Sequence, residues 1–281
     1  MNNCGGAMYF QSEFIGDYSA TFLQVGCYDE NELSVLGYQD EVNVSLELDA
    51  LHCLRFFPHV SNLILRPGEI NINDLHYLYS LSIKRLKLDY YSDSLDEYSI
   101  DLGKFCCLEH VFSRTQYNFH NAEQSIHLKT LTIQEWYTPT LECLQKAPII
   151  SLTILSGKLT STKGIEHLHQ LKTVSLSNQR SLTNLSGVDK CNTLETLEIE
   201  SCNKLCMDTI PELPFLRSLC VIGKQTIADC SFFLRFPKLE RLILGIKIID
   251  GNITPLLNLR HCVILSDCRH YTHRNSDMPK L

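Results

Sequence analysis

Ten triplets of apolar residues, repeated at a nearly constant interval, constrain this chain more than any other feature of its sequence. Residues 193–205 read TLETLEIESCNKL, with Leu194, Leu197 and Ile199 at offsets 0, 3 and 5. An amphipathic helix would place apolar residues at offsets 3, 4 and 7, and an isolated half-buried strand would alternate strictly. The same triplet returns every 20 to 25 residues, and Ser113 is the single polar residue at its thirty positions. The triplets begin at Val60, Ile83, Leu108, Leu128, Ile149, Leu171, Leu194, Leu216, Leu239 and Leu259. This period predicts a solenoid, in which each copy buries its apolar side against its neighbours.

The second halves of the copies carry a further pattern. TIADCSFFLRFPKL, NLSGVDKCNTL and NITPLLNL resemble the half-repeat I-x-D-I-x-x-L-x-x-L. On these motifs the chain resembles leucine-rich repeat proteins, and among them the short-repeat internalin and SDS22-like subclass, which points to a bacterial source. The resemblance covers residues 60 to about 266. It implies an α/β solenoid, a horseshoe with a parallel β-sheet on its concave face and short 3₁₀ or irregular segments on its convex side. Prolines exclude long helices from these segments, although NDLHYLYSLSIKRL can hold a helical turn.

The ninth position of the copies departs from the family pattern. The family usually has an asparagine there, which hydrogen-bonds between successive turns, and only Cys202 fits the accepted alternatives. The other copies have Gly68, Tyr91, Gln116, Trp136, Gly157, Gln179, Lys224 and Lys247. We expect the fold to tolerate this loss, with less regular turns.

The repeat also predicts how the chain is organised. About ten copies are expected to form one solenoid domain over residues 41–267, with VNVSLEL at 42–48 as an extra strand in front of the first copy. Residues 1–40 do not fit the template, and because the open end of a solenoid exposes its core, they are predicted to form an N-terminal cap. The aromatic residues of this segment include Phe10, Phe14, Tyr18, Phe22 and Tyr28. Residues 268–281 are polar and are predicted to form a C-terminal tail.

The charge balance disfavours some classes of partner. The 25 Lys and Arg residues against 32 Asp and Glu residues give a formal net charge of −7 and a pI near 5.9. Nucleic acids and anionic membranes require a basic field, so we expect neither as a partner and a mild preference for a basic protein. No run approaches the ~18 to 20 apolar residues of a membrane span, and MNNCGGAMYFQSEFIGDY does not resemble an export signal. The expectation is a cytoplasmic protein that is a monomer when unbound.

Cysteine usage and motif content argue against redox, metal and catalytic chemistry. The thirteen cysteines form no disulfide framework, and several, such as Cys262, replace core residues of the template, so reduced thiols are expected. The closest approach to a metal cluster consists of His261, Cys262, Cys268, His270 and His273, without a C-x-x-C pair. No nucleophile-elbow, zinc-protease or phosphate-loop motif occurs. We therefore predict no enzyme activity, no metal and no cofactor.

The template also maps the exposed surface. Offsets 3 and 5 point inward, so offsets 2, 4 and 6 face outward, and along the copies this face runs from basic and aromatic through hydroxylated and acidic to apolar. Aromatic and arginine side chains carry most interface energy, which favours the early copies. The predicted partner-binding residues are Lys87, Asp89, Tyr90, Phe112, Arg114, Gln134, Glu135, Trp136, Glu198 and Glu200. Alternatives stay open: Trp136 can fill the slot of the missing asparagine, Phe112 can cover the irregular third copy, and Glu198 and Glu200 can be a solvated surface.

These features lead to a hypothesis about function. A curved sheet without catalytic motifs is expected to act as a non-enzymatic module that recognises one protein partner through its concave face. Bacterial polymorphic-toxin systems use leucine-rich repeat proteins as immunity proteins, and an acidic chain suits a basic toxin domain, so the sharpest hypothesis is an immunity protein that neutralises a toxin. The alternative is an SDS22-like regulatory or scaffold subunit that docks on a cytoplasmic enzyme.

Overall fold

The computed structural model describes residues 9–15, 18–25, 33, 43–92, 99–266 and 268–280. The chain forms two compact units, Met1–Gln134 and Glu135–Leu281. The boundaries predicted for the cap, the solenoid and the tail stay predictions. Within the predicted cap, Tyr28 and the side chain of Phe10 lie outside the described residues.

The first unit is built on a mostly parallel sheet. The strands in chain order are β1 (Tyr9–Ile15), β2 (Tyr18–Val25), β3 (Val44–Glu47), β4 (Asn62–Arg66), β5 (Arg85–Leu88), β6 (Ile100–Asp101), β7 (His110–Thr115), β8 (Phe119–His120) and β9 (Thr130–Trp136). The last two residues of β9 belong to the second unit. In the main sheet the order is β1-β2-β3-β4-β5-β7-β9, with β1 antiparallel to β2. A small second sheet pairs β6 with β8 in parallel. The strand predicted at 42–48 is present as β3.

Short helices connect the strands of the first unit. One α-helix, α1 (Leu75–Tyr79), lies within the segment expected to hold a helical turn. The 3₁₀ helices are Leu48–Phe56, Ile72–Asp74, Leu102–Lys104, Gln116–Asn118 and Ala122–Gln124. Such short returns agree with the crossings predicted from the proline content.

The second unit repeats the same architecture without an antiparallel strand in its described residues. Its strands are β10 (Ser151–Gly157), β11 (Thr173–Ser177), β12 (Thr196–Glu200), β13 (Ser218–Ile227), β14 (Arg241–Ile248) and β15 (His261–Ile264). Each strand pairs in parallel with the next. The connecting 3₁₀ helices are Glu142–Leu144, Ile165–His167, Val188–Lys190, Met207–Thr209, Cys230–Arg235 and Thr254–Asn258, and Asn275–Asp277 follows the last strand.

Rows of inward-facing side chains form the core of each unit. In the second unit one row runs through Val174, Leu197, Leu219, Leu242 and Cys262, which pair side by side on consecutive strands. The corresponding row of the first unit is Val44, Leu63, Leu86 and Val111. All of these residues are at most 2% exposed, and full burial of a Leu side chain contributes roughly 1.5 to 3 kcal/mol. The leucine-rich repeat fold predicted from the spacing is therefore confirmed by the coils of both units.

A mixed set of side chains replaces the asparagine ladder of the family. Asn118, Gln179, Cys202 and Gln225 are buried beside the strand ends and donate to backbone carbonyls. The bonds run from Asn118 to the carbonyl of Tyr90 (2.6 Å), from Gln179 to Ser177 (2.8 Å), from Cys202 to Leu176 (3.4 Å) and from Gln225 to Cys202 (2.5 Å). Because buried carbonyls need donors, these side chains take over the function of the missing asparagines. Asn118 and Gln225 lie two and one residues beyond the template position, which is why the spacing did not identify them.

Candidate protein-binding surface

Four of the predicted binding residues form a chain of polar contacts across β5, β7 and β9. The Arg114 side chain donates through Nε to Asp89 Oδ1 at 2.5 Å and through Nη1 to Gln134 Oε1 at 2.6 Å. Lys87 Nζ lies 3.4 Å from Asp89 Oδ2. The side chains of Lys87 and Asp89 are only 12% and 11% exposed. The structure brings these four residues together, but their charges are satisfied inside the unit.

The hairpin of β1 and β2 covers part of the outward face of the first unit. The Glu13 carboxylate forms ion pairs with Arg66 and Lys87. On the same side of the hairpin, Ile15 and Phe22 form a buried cluster with Ile64. The predicted binding residue Phe112 packs against this cluster.

The hairpin explains why the surface map fails at the first strands. Asn62 and Ile64 occupy offsets predicted to be exposed, yet they are 6% and 0% exposed. Tyr18 adds to the cover, because its hydroxyl lies 3.4 Å from Asn62 Nδ2 and its ring lies 4.5 Å below the Arg85 guanidinium. The expectation that these offsets are open to a partner is wrong here, because another segment of the chain occupies the space.

Two predicted aromatic residues, Tyr90 and Trp136, are interior residues rather than surface anchors. Tyr90 is 4% exposed, its hydroxyl donates to the carbonyl of Asn118, and burial raises the pKa of the phenol. Trp136 is fully buried, and its Nε1 donates to the carbonyl of Thr140 at 3.2 Å. The expectation that both are exposed at strand ends is wrong, and Trp136 fills the ladder slot instead. Glu135 is half-buried and accepts a hydrogen bond from Tyr137.

In the second unit the acidic pair lies on an open part of the strand face. Glu198 and Glu200 are both exposed on β12, on the same side of the strand. Across to β13, Glu198 pairs in register with Cys220 and Glu200 with Ile222. Cys220 then pairs with Ile243 on β14, which is 36% exposed.

We name the four residues Glu198, Glu200, Ile222 and Ile243 the acidic-apolar face. The sequence identified its carboxylates but not its isoleucines as binding residues. The signal was present, because both isoleucines occupy outward offsets of the template.

The Cys220 thiol, which lies between Glu198 and Ile243, has low reactivity. Burial, together with the negative charges of Glu198 and Glu200, raises the pKa of Cys220 to about 11. A thiol with such a pKa is protonated near neutral pH and is a poor nucleophile. The face therefore offers shape and charge for binding rather than covalent chemistry.

One edge of the second unit carries a row of side chains whose positive and negative charges compensate each other. Lys172, Glu195, Arg217, Glu240 and Arg260 alternate in sign along one edge, each one residue after the first template position of its copy. The ion pairs are Lys172–Glu195 at 3.3 Å, Arg217–Glu240 at 2.6 Å and Arg260–Glu240 at 3.2 Å. Exposed pairs of this kind contribute ~0 to 1 kcal/mol each. Because the signs compensate, this edge has less to attract a charged partner than the acidic-apolar face.

One polar cluster has the composition of a catalytic triad but not its geometry. Ser99 Oγ lies 2.8 Å from His120 Nδ1, whereas His120 Nε2 is 3.7 Å from Asp101 Oδ2, beyond hydrogen-bond distance. The Asp101 carboxylate instead accepts hydrogen bonds from the amide of Gly103 at 3.0 Å and from Asn121 at 3.1 Å. Asp101 therefore caps a 3₁₀ helix and does not orient His120 as a base.

The C-terminal histidines and cysteines make structural contacts. His270 Nε2 contacts the carbonyl of Ile248 at 3.0 Å, and His273 Nε2 contacts Thr254 Oγ1 at 3.1 Å. Within the described ranges, no group of three His, Cys, Asp or Glu side chains could hold a metal ion. Every cysteine in those ranges is a free thiol. None of the helices there is long and apolar enough to span a bilayer.

Comparison with known proteins finds remote structural similarity. An internalin, InlF, of Listeria monocytogenes is 14% identical, with 85% of this chain and 72% of that chain covered and a TM-score of 0.49. A leucine-rich repeat protein of Leptospira interrogans is 15% identical, with 84% and 82% covered and a TM-score of 0.32. No family model and no curated protein matches the chain. Because both TM-scores are below 0.5, the fold is assigned from the coil geometry of each unit.

Proposed function

We propose that this leucine-rich repeat chain is a non-enzymatic module that holds one protein partner on its outward strand face. The observation that carries the proposal is the acidic-apolar face, where two exposed carboxylates border the half-buried Ile222 and the exposed Ile243 on consecutive parallel strands. Interfaces combine desolvated apolar side chains with complementary charge, and this face offers both. The side chains of Lys87 and Asp89 are nearly buried and Phe112 packs against the hairpin cluster, whereas the Arg114 side chain is 30% exposed.

The most specific form of the proposal is an immunity protein that binds a toxin in the cytoplasm. Such a protein acts by occupancy and needs no catalytic group of its own. The net charge of −7 and the exposed Glu198 and Glu200 support a basic partner. A scaffold subunit that docks on an enzyme uses the same face and differs in what the partner does.

A capture experiment with matched variants tests the proposal. The full chain, tagged, is expressed in its source cells as wild type, as Glu198→Arg/Glu200→Arg and as Asp189→Arg/Glu212→Arg. Asp189 and Glu212 are exposed acidic residues in segments between strands, so the control makes the same charge change away from the face. We expect the wild type and the control to retain one protein in near-equal amount and the face variant to lose it.

The outcomes separate the alternatives. Equal capture by all three chains would move the binding site away from Glu198 and Glu200, and an absence of any stoichiometric partner would contradict the binding module. A captured protein that kills cells when expressed without this chain, and not with it, supports immunity. A captured enzyme that remains active in the complex supports the scaffold.

A further inference from the structure

The hairpin of the first unit provides an internal example of what a strand face of this chain binds. Glu13 and Ile15 alternate along β1, and both contact the sheet beneath, Glu13 through its ion pairs and Ile15 through the cluster with Ile64. Phe14, between them, points away and is 62% exposed. An extended segment with a charged and an apolar residue two positions apart therefore matches a face of opposite charge with an apolar centre.

The acidic-apolar face has the same elements with the charge reversed. Glu198 and Glu200 are two positions apart on β12, so both carboxylates point to the same side. Ile222 lies on the next strand and Ile243 on the one after it, within ~10 Å at the usual strand spacing. In the first unit the cations Arg66, on the strand of Ile64, and Lys87, on the next strand, border Ile64, so both faces combine charged with apolar side chains and the charges have opposite signs.

The two carboxylates have no internal counter-charge. Neither forms an ion pair or a hydrogen bond within the described part of the chain, in contrast to Glu13, Asp89 and Glu240. The exposed cations on the two following strands are Lys224 on β13 and Arg241 and Lys247 on β14, and among the described residues none of them forms an ion pair with Glu198 or Glu200. Two like charges at this separation repel each other, and a cation of a partner would relieve the repulsion.

We propose, resting on the function above, that this face binds an extended segment of the partner in which Lys or Arg alternates with aliphatic or aromatic residues. The Lys or Arg side chains of this segment form ion pairs with Glu198 and Glu200, and its apolar side chains cover Ile222 and Ile243. A hairpin from a second copy of this chain fits poorly, because Glu13 would meet the two carboxylates.

The test uses two labelled octapeptides and the full-length chain. One peptide alternates Lys with Val, the other alternates Glu with Val, and binding is measured by fluorescence anisotropy at low ionic strength. We expect the Lys peptide to bind the wild type and the Asp189→Gln/Glu212→Gln control, and to bind Glu198→Gln/Glu200→Gln about tenfold more weakly, equivalent to ~1.4 kcal/mol. Ile243→Ser should also weaken binding, and the Glu peptide should not bind.

Several results would overturn the inference. Equal affinity for the face variant and the control, or binding of the Glu peptide, would show that the face does not select alternating cations. Absence of Lys-peptide binding, while the capture experiment retains a partner, removes this inference and leaves the proposed function. Binding of the Lys peptide without any captured partner removes the proposed function instead. Self-association that competes with the Lys peptide would identify a second copy as the occupant.

Discussion

At the scale of single residues, Trp136 takes a place that the repeat family gives to an asparagine. Its indole is buried and bonded to the carbonyl of Thr140, and Gly157 lies directly against its backbone. A Cβ at Gly157 would stand 2.2 Å from the carbonyl oxygen of Trp136, so no larger residue fits there. The glycine is therefore required by the close approach of the Trp136 backbone, whatever side chain stands at residue 136.

Replacing Trp136 by Ala is expected to destabilise the second unit by about 3 to 5 kcal/mol, because it leaves a large cavity and removes the hydrogen bond from the indole to the carbonyl of Thr140. Urea unfolding followed by circular dichroism measures the change. Leu234→Ala is the control, because Leu234 is apolar but 80% exposed. The free energy of unfolding of this variant should stay within about 0.5 kcal/mol of the wild-type value. A stable Trp136→Ala chain with reduced partner binding would show that the indole acts in recognition after all.

Leu197→Asp tests the strand register. Leu197 is fully buried between Val174 and Leu219, so an unpaired carboxylate there costs several kcal/mol, roughly, and should unfold the neighbouring coils. Thr196→Asp adds the same group at a half-buried, outward position and should retain the thermal melt. An unaltered melt for Leu197→Asp would contradict the inward assignment of this row.

At the scale of elements, the hairpin is the feature that the repeat pattern could not predict. The repeat template predicts the strands, their order and the inward-facing rows of side chains, because one repeated spacing determines both the length of each coil and which of its side chains are buried. β1 and β2 lie outside the template, and alternation within a hairpin says which residues share a side but not what that side covers. The spacing therefore predicts an open face at Asn62 and Ile64 and exposed strand ends at Tyr90 and Trp136, because it contains no information about packing against non-repeated segments.

Glu13→Lys is expected to loosen the hairpin. The new ammonium would lie against Arg66 and Lys87, replacing two attractions by two repulsions in a partly buried site. Hydrogen exchange of the β2 amides before residue 23 should rise by about tenfold or more, while β12 should keep its protection. Ser12→Lys, on the exposed side of β1, is the matched control and should leave exchange unchanged. Equal protection in both variants would mean that the ion pairs do not hold the hairpin.

At the scale of the whole molecule, its buried thiols link stability to pH. Burial raises the pKa of Cys191, Cys202, Cys230 and Cys262 to about 11, above the value of 9.0 for a free thiol. Below pH 9 both the folded and the unfolded chain hold these protons. Between pH 9 and about 11 the unfolded chain releases them first, so stability falls as pH rises.

The free energy of unfolding is therefore expected to be lower at pH 10.5 than at pH 8.5. Denaturant titrations at the two pH values measure the difference. In Cys262→Val, which removes one buried thiol, the loss between the two values should be smaller than in wild type. An identical loss in both chains would show that this thiol does not contribute to the pH dependence.

The inward and outward side chains of each strand have different roles, and this difference has a practical consequence. Inward rows and carbonyl-bonded ladder residues hold the coils together, while alternate side chains on β11 to β14 make few bonds to the scaffold. A library that randomises only those outward positions should yield folded proteins with new ligand preferences, so this chain is a starting point for engineered recognition.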